Sequence, residues 1–235
     1  MPPTGPSVSS VCLLSGGMDS CVTAAIALRQ GPAAFLHISY GQRTWERERR
    51  AFREMSDYYR VGLSKEVSFD FLREIGGSAL TDPSIPLPEA DPGREGIPVS
   101  YVPFRNALFL ALAVSWAEVL GAESVFIGAV EQDSSGYPDC RQTFYDAYNR
   151  VIREGTRPES RISVVTPLIA MKKSEIVKLG QKLGAPFSLS WSCYQAAEKA
   201  CGRCDSCLLR RTAFRQAGCE DPIPYDDPVP PVSHG

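Results

Sequence analysis

One junction constrains this chain more than any other. The apolar run Val8–Leu14 ends in Ser15-Gly16-Gly17-Met18-Asp19-Ser20 and passes directly into helical periodicity over Asp19–Gln30. A strand that turns on glycines into a helix gathers backbone N–H groups and the positive end of the helix dipole at one point, which suits an anion such as phosphate or pyrophosphate. The spacing is not that of the common G-x-x-x-x-G-K-[ST] loop, and no lysine is offered to β/γ-phosphates. It is not G-x-G-x-x-G either, so a dinucleotide is disfavoured. A glycine turn before a helix capped by Asp19 or Ser20 is the plainer alternative.

Beyond that junction, short apolar runs alternate with helical periodicity, the pattern of a parallel sheet with crossover helices. Strands are predicted at Val8–Leu14, Ala33–Ser39, Ser64–Phe69, Ser124–Val130 and Ile162–Val165. Helices are predicted at Asp19–Gln30, Thr44–Arg60, Arg105–Leu120, Arg141–Glu154, Lys172–Leu183 and Cys204–Gln216. Within Arg105–Leu120, the residues Leu108, Leu112, Trp116 and Leu120 share one face and read as core. Gly76–Pro98 shifts to Gly, Pro and Asp and reads as a loop long enough to be mobile or functional. The Pro- and Asp-rich tail after Cys219 reads as a surface-draped or disordered end.

With 25 Lys plus Arg against 27 Asp plus Glu, the net charge of −2 argues against nucleic acid as the main ligand. No apolar run approaches the ~18–20 residues of a membrane span. The N-terminal MPPTGPSVSSVCLLSGG lacks the basic stretch and apolar length of an export signal, so the cytoplasm is the expected compartment. Reducing conditions there give eight cysteines a reason other than disulfides. Cys193, Cys201, Cys204 and Cys207 form C-x7-C-x2-C-x2-C, the pattern of a closed tetrahedral zinc site with a structural role; an iron–sulfur cluster is the second reading. Cys12 and Cys21 read as small buried hydrophobes, while Cys140 and Cys219 are scattered.

Three further stretches fall where loops leave the carboxyl edge of such a sheet. They are Tyr40-Gly41-Gln42-Arg43, Tyr101-Val102-Pro103-Phe104-Arg105-Asn106, and Gln132 to Arg141 with Asp133, Tyr137, Asp139 and Cys140. Carboxylates beside tyrosines suit a guanine-like base, whose ring N–H and exocyclic amine are donors and whose face stacks on aromatics. Taken singly, each stretch also reads as a turn with a helix cap, Asn106 or Asp139 serving as the cap.

The hexapeptide Ser15–Ser20 resembles the pyrophosphate loop of the ATP pyrophosphatase (PP-loop) superfamily, enzymes that split ATP between its α and β phosphates. LSGGMDS, YGQR, YVPFRNALFL, SGYPDCR, TPLIAMKKSEI and WSCYQ…KACGRCDSCLLR, spread over residues 13–211, resemble in order the QueC family of queuosine biosynthesis. That resemblance implies a doubly wound, Rossmann-like (adenine nucleotide alpha hydrolase-like) α/β domain over 1–185, a small zinc-binding helical region over 186–219 and a tail over 220–235. It implies a homodimeric ligase with one structural zinc per chain, joining 7-carboxy-7-deazaguanine and ammonia to make the nitrile at the expense of magnesium-bound ATP. Leu14, Ser15, Gly16, Gly17, Met18, Asp19 and Ser20 would hold ATP, with Asp19 near magnesium. Tyr101, Arg105, Asn106, Asp133, Tyr137 and Asp139 would hold the substrate. The chain departs from the family at Asp133-Ser134, where Asp-Tyr is more usual, and at Phe104, where the residue is often small.

The chemistry can be anticipated from what a nitrile requires. A carboxylate is a poor electrophile, so its oxygen must become a better leaving group, here AMP. The carboxylate attacks the α-phosphate, pyrophosphate departs into the loop, ammonia displaces AMP to give an amide, and a second activation with proton loss gives the nitrile. Asp19, Arg105 and Lys173, with Arg141, are the expected charged stabilisers.

Overall fold

The computed structural model describes residues 8–89, 96–131 and 136–226. Asp133 and the chain after Asp226 lie outside the described residues. Five strands form one parallel sheet: β1 (Ser10–Leu13), β2 (Ala33–Ser39), β3 (Ser64–Ser68), β4 (Ser124–Phe126) and β5 (Ser163–Val165), in the order β3-β2-β1-β4-β5. The chain winds outward from β1 to β3, then returns to β4 on the other side of β1 and winds outward again. This is the doubly wound arrangement, with its switch point between the carboxyl ends of β1 and β4.

Strand alternation builds both layers. Val11, Leu13, Ala34, Leu36, Ile38 and Val125 face a core shared with α4 (Arg105–Leu120) and α5 (Gln142–Gly155). Cys12, Leu14, Phe35 and Phe126 face the opposite core, with α1 (Met18–Gln30) and α2 (Trp45–Tyr58). Cys12 and Cys21 lie in that second core, fully buried as expected, and burial pushes both thiols up, Cys21 to about 12. The cysteine quartet also packs into it, followed by α7 (Asp205–Ala217), while α6 (Lys173–Leu183) packs with α1 and α7. No helix of the described residues is long and apolar enough to cross a membrane.

The structure corrects several expectations. Val8–Leu14 and Ser124–Val130 are strands only over Ser10–Leu13 and Ser124–Phe126, because the chain leaves the ladder early to build the loops at the carboxyl edge. A one-turn helix, α3 (Phe71–Glu74), was not signalled by any periodicity. On α4 the stripe of large residues is only partly buried. The face turned to the sheet carries Leu110, Ala113, Val114 and Ala117, since small side chains permit close approach.

The described parts of Gly76–Pro98 contain no helix or strand, but Ser78–Thr81 is buried and tied down. Arg43 Nε donates to Ala79 O at 2.8 Å and its Nη2 to Ile85 O at 2.8 Å. Residues 220–226 are likewise anchored and not loose. Arg210, 2 % exposed, forms a two-pronged ion pair with Asp221 at 2.8 and 2.9 Å, and Tyr225 OH donates to Asp221 Oδ2 at 2.7 Å. A buried guanidinium left without a counter-charge would be costly, so the tail is drawn back over the cysteine loop.

Candidate active site

The strand-to-helix turn has its shape because Gly16 adopts φ +92°, and a Cβ there would sit 2.7 Å from Glu48 O. Gly17 takes an ordinary extended conformation and precedes α1 without any side chain capping the helix. Neither Asp19 nor Ser20 is a cap. Ser20 Oγ donates back to Gly17 O at 3.0 Å, and Ser15 Oγ donates to Ser20 Oγ at 3.1 Å. The first-turn N–H groups of α1 therefore have no protein cap, the arrangement that receives an anion. Two neighbours fix the turn from outside. Trp191 N–H donates to Gly16 O at 2.8 Å, and Gly128, just after β4, lets α1 approach so closely that a Cβ would lie 2.9 Å from Ser20 N.

A cleft of about 290 Å³ opens from this turn across the carboxyl edge of β1, β2 and β4. That is at the lower edge of the range for small-molecule pockets. Leu14, Ser15, Gly17, Met18, Asp19 and Ser20 line one end, with Gly16 packed behind them against Glu48. Lys173, at the start of α6, lies against them with Nζ 2.5 Å from Asp19 Oδ2. The other oxygen, Asp19 Oδ1, is buried without a hydrogen-bond partner. A carboxylate with one oxygen neutralised and one unmatched fits a cation brought in with a phosphate chain.

At the other end Arg105, Asn106 and Tyr137 line the cleft with Tyr40 and Phe109. Arg105 Nη1 donates to Tyr40 OH at 2.9 Å, and its guanidinium lies 5.3 Å from the Tyr40 ring centroid. Burial works against its charge, but Tyr40, Tyr137 and Asp139 outweigh that and hold it firmly protonated. Its Nε is buried and unmatched, a donor awaiting an acceptor.

The remaining predicted residues stand behind this wall. Asp139 Oδ2 accepts the backbone N–H of Asn106 at 2.9 Å, and Asn106 Nδ2 donates to Asp139 O at 2.9 Å, so Asp139 anchors the start of α4. Tyr101 OH accepts Phe104 N–H at 2.9 Å, and its ring stands 5.6 Å from that of Tyr137. Arg141 is exposed at the start of α5 and does not line the cleft. Cys140 does line it, but burial pushes its thiol up to about 11, away from reactivity.

Glu48, Thr44 and Trp191 also line the cleft and were not singled out from sequence. For Trp191 a signal existed in its place two residues before the first cysteine of the quartet. Glu48 lay concealed in the charged run Trp45–Arg50, which reads as a solvated face.

The four cysteines are buried, and their sulfurs lie within 4.8 Å of one another, Cys201 to Cys207 at 3.9 Å. Four thiolates at ~2.3 Å from one tetrahedral centre stand about 3.8 Å apart, so the quartet fits a metal ion. The donor chemistry agrees. Cys193 Sγ accepts the N–H groups of Gln195, Ala196 and Cys201, each at 3.4 Å, and the hydrogen bonds it receives from Cys204 and Cys207 hold it far below the ordinary thiol range.

Residues 9–218 match the profile of the family described as queuosine biosynthesis protein QueC. The chain is 60% identical over 220 residues to the 7-cyano-7-deazaguanine synthase of Chlorobium phaeobacteroides, covering 93% of this chain and 97% of the relative. It is 60% identical over 220 residues to the same enzyme of Chlorobium luteolum, with the same coverage, and 59% identical to that of Chlorobium chlorochromatii, covering 93% and 96%.

Proposed function

The chain belongs to the QueC family of queuosine biosynthesis, and from that premise we propose that it is an ATP-dependent ligase making 7-cyano-7-deazaguanine from 7-carboxy-7-deazaguanine and ammonia. The observation that carries this reading is a single cleft joining an uncapped glycine turn at one end to an aromatic-flanked guanidinium with an unmatched Nε at the other. The first end suits the diphosphate of ATP and the second a planar heterocycle bearing a carboxylate.

In this reading the substrate ring lies against Tyr40 and Tyr137, and Arg105 orients the carboxylate with the Nε that lacks a partner. The carboxylate oxygen attacks the α-phosphate; the bond to the β-phosphate breaks and pyrophosphate leaves into the Ser15–Ser20 turn. Its charge is met there by the first-turn N–H groups of α1 and by Lys173. Ammonia then forms a C–N bond as AMP departs, giving the amide. A second ATP adenylates the amide oxygen with release of pyrophosphate and one N–H proton, and loss of AMP with the last N–H proton leaves the nitrile. Asp19 would hold magnesium through its unmatched oxygen; when bound, the ion neutralises phosphate charge.

Cys193, Cys201, Cys204 and Cys207 would hold one zinc ion per chain. Four thiolates would leave no ligand position open to substrate, so its part would be to fasten residues 186–219 to the α/β domain of residues 1–185. Tyr101 and Asp139 would act on substrate through Tyr137, Arg105 and Asn106, and Asp133 belongs to the same proposed wall. A homodimer in the cytoplasm completes the proposal, with the exposed Val119 of α4 and Val151 of α5, 68% and 62% accessible, as surface such a contact would cover.

The test is the mass of the product from purified chain given the carboxy-deazaguanine, ATP, magnesium and ammonium. The expected product has gained one ammonia and lost two waters relative to the acid, with AMP and pyrophosphate released. An ADP-forming reaction, or modification of bulk tRNA in place of the free base, would overturn it.

A further inference from the structure

Glu48 belongs to α2 and lines the cleft. Its backbone carbonyl is packed against Gly16 of the phosphate turn, while its charge is felt by Tyr40 and Arg105 at the other end. Among the described residues only neutral groups donate to its carboxylate. Gln42 Nε2 donates to Oε2 at 2.9 Å, and the Thr44 hydroxyl lies 3.0 Å from Oε1, with Cys193 O as its more distant acceptor at 3.3 Å. Gln42 is itself fixed, its Oε1 accepting Tyr40 N–H at 2.8 Å. The carboxylate is thus oriented without being neutralised, and each oxygen keeps a lone pair for a further donor.

The reaction proposed above needs a proton acceptor at this place. A nitrile nitrogen carries no hydrogen, so every N–H proton of the incoming ammonia must leave beside the reacting carbon, which lies between the phosphate turn and the ring. Among the described residues lining the cleft there is no histidine, and the carboxylates are Asp19 and Glu48. Asp19 is paired with Lys173. Tyr40 is pushed up to about 12 by burial, and Arg105 and Lys173 are cations. Burial holds the Glu48 carboxyl above its ordinary range, with Gln42, Thr44 and Arg105 opposing the shift, which makes it a better base.

Resting on the adenylation reading, we propose that Glu48 is the general base that removes protons from nitrogen in both halves of the reaction. In the first half, the C–N bond forms, the C–O bond to AMP breaks with its electron pair leaving on AMP, and one N–H proton passes to a Glu48 oxygen. That proton leaves through the open cleft. In the second half one N–H proton passes to the same carboxylate as the amide oxygen is adenylated, and the last follows as the C–O bond breaks with its electron pair leaving on AMP.

The test is Glu48→Gln in the full-length, metal-loaded chain, compared with wild type in three assays. Acid-dependent ATP–pyrophosphate exchange reports the first adenylation alone and is expected to stay within about threefold, since Gln keeps the shape and hydrogen-bonding reach of Glu. Nitrile formation from ammonium is expected to fall about 10²–10⁴-fold in kcat, the usual contribution of a positioned base. The acid limb of the wild-type kcat profile, where the carboxylate becomes protonated, is expected to vanish in the variant, and Glu48→Asp should restore part of the rate. Four results would overturn the assignment: undiminished nitrile formation; exchange falling in step with it, which marks a structural prop; a raised KM for the acid at constant kcat, which marks a reader of the ring; or no recovery in Glu48→Asp. Absence of exchange in wild type itself would instead remove the adenylation reading, and the role of Glu48 with it.

Discussion

The cleft and the cysteine quartet are neighbours that treat polar groups in opposite ways. In the cleft, Asp19 Oδ1 and Arg105 Nε are buried with no hydrogen-bond partner among the described residues. Around the cysteines, Arg210 meets Asp221, Ser190 Oγ at 2.7 Å and Phe187 O at 3.2 Å, and Cys193 Sγ collects three backbone N–H groups. Unmatched buried polar atoms cost stability unless a ligand completes them, whereas matched ones hold structure. In the proposed reading the first region is completed by substrate, while the second completes itself. The segment Trp191–Cys193 joins them, since Trp191 N–H holds Gly16 O and Thr44 lies between Glu48 and Cys193 O.

Substitutions can separate the two behaviours. The largest effect is expected for Asp19→Ala, with nitrile formation falling at least ~10³-fold, as for loss of a principal charge-stabilising group. Unfolding by urea should shift little, because the pair with Lys173 is partly exposed. A large loss of stability would place Asp19 with the structural groups. Asp221→Ala should do the reverse, costing ~3–5 kcal/mol in a denaturant titration by stranding the buried Arg210. A cost under about 1 kcal/mol would show that the strap over the cysteines contributes little.

Arg105→Lys sharpens the division within the cleft. Losing a charge-assisted hydrogen bond of ~1.5–3 kcal/mol should raise the KM for the acid about 10–100-fold and leave that for ATP nearly unchanged. Parallel rises in both would mean that Arg105 serves the phosphate end. The smallest effect is expected at Phe104, held at φ +56° and 60% exposed. Phe104→Gly should raise stability by up to about 1 kcal/mol in thermal unfolding, since a left-handed conformation strains a bulky residue. A loss would mean that the contact with Phe144, at 6.3 Å between centroids, outweighs the strain.

Local chemistry was legible in the sequence, and long-range pairing was not. Gly16 and the C-x2-C repeats announce themselves because their geometry is fixed within a few residues. The parallel α/β class also follows from alternating strands and helices, while the strand order appears only in the structure. Glu48 was hidden because its surroundings, Gln42, Thr44 and the back of Gly16, come together only when α2 docks beside the turn. Ser78–Thr81 and residues 220–226 read as loose from composition, yet single arginines hold them: Arg43 across 36 positions and Arg210 across 11. Asp139 looked like a ligand for substrate, but Asn106 meets its carboxylate from across the fold.

In the proposed reaction the cleft activates the substrate carboxylate by transferring its oxygen to the α-phosphate. Carboxy-deazaguanine carrying heavy oxygen at both carboxylate positions, turned over with ATP and ammonium, tests this directly. One heavy oxygen is expected in every AMP released and none in water or pyrophosphate. Heavy oxygen appearing in water, or in inorganic phosphate beside ADP, would contradict it.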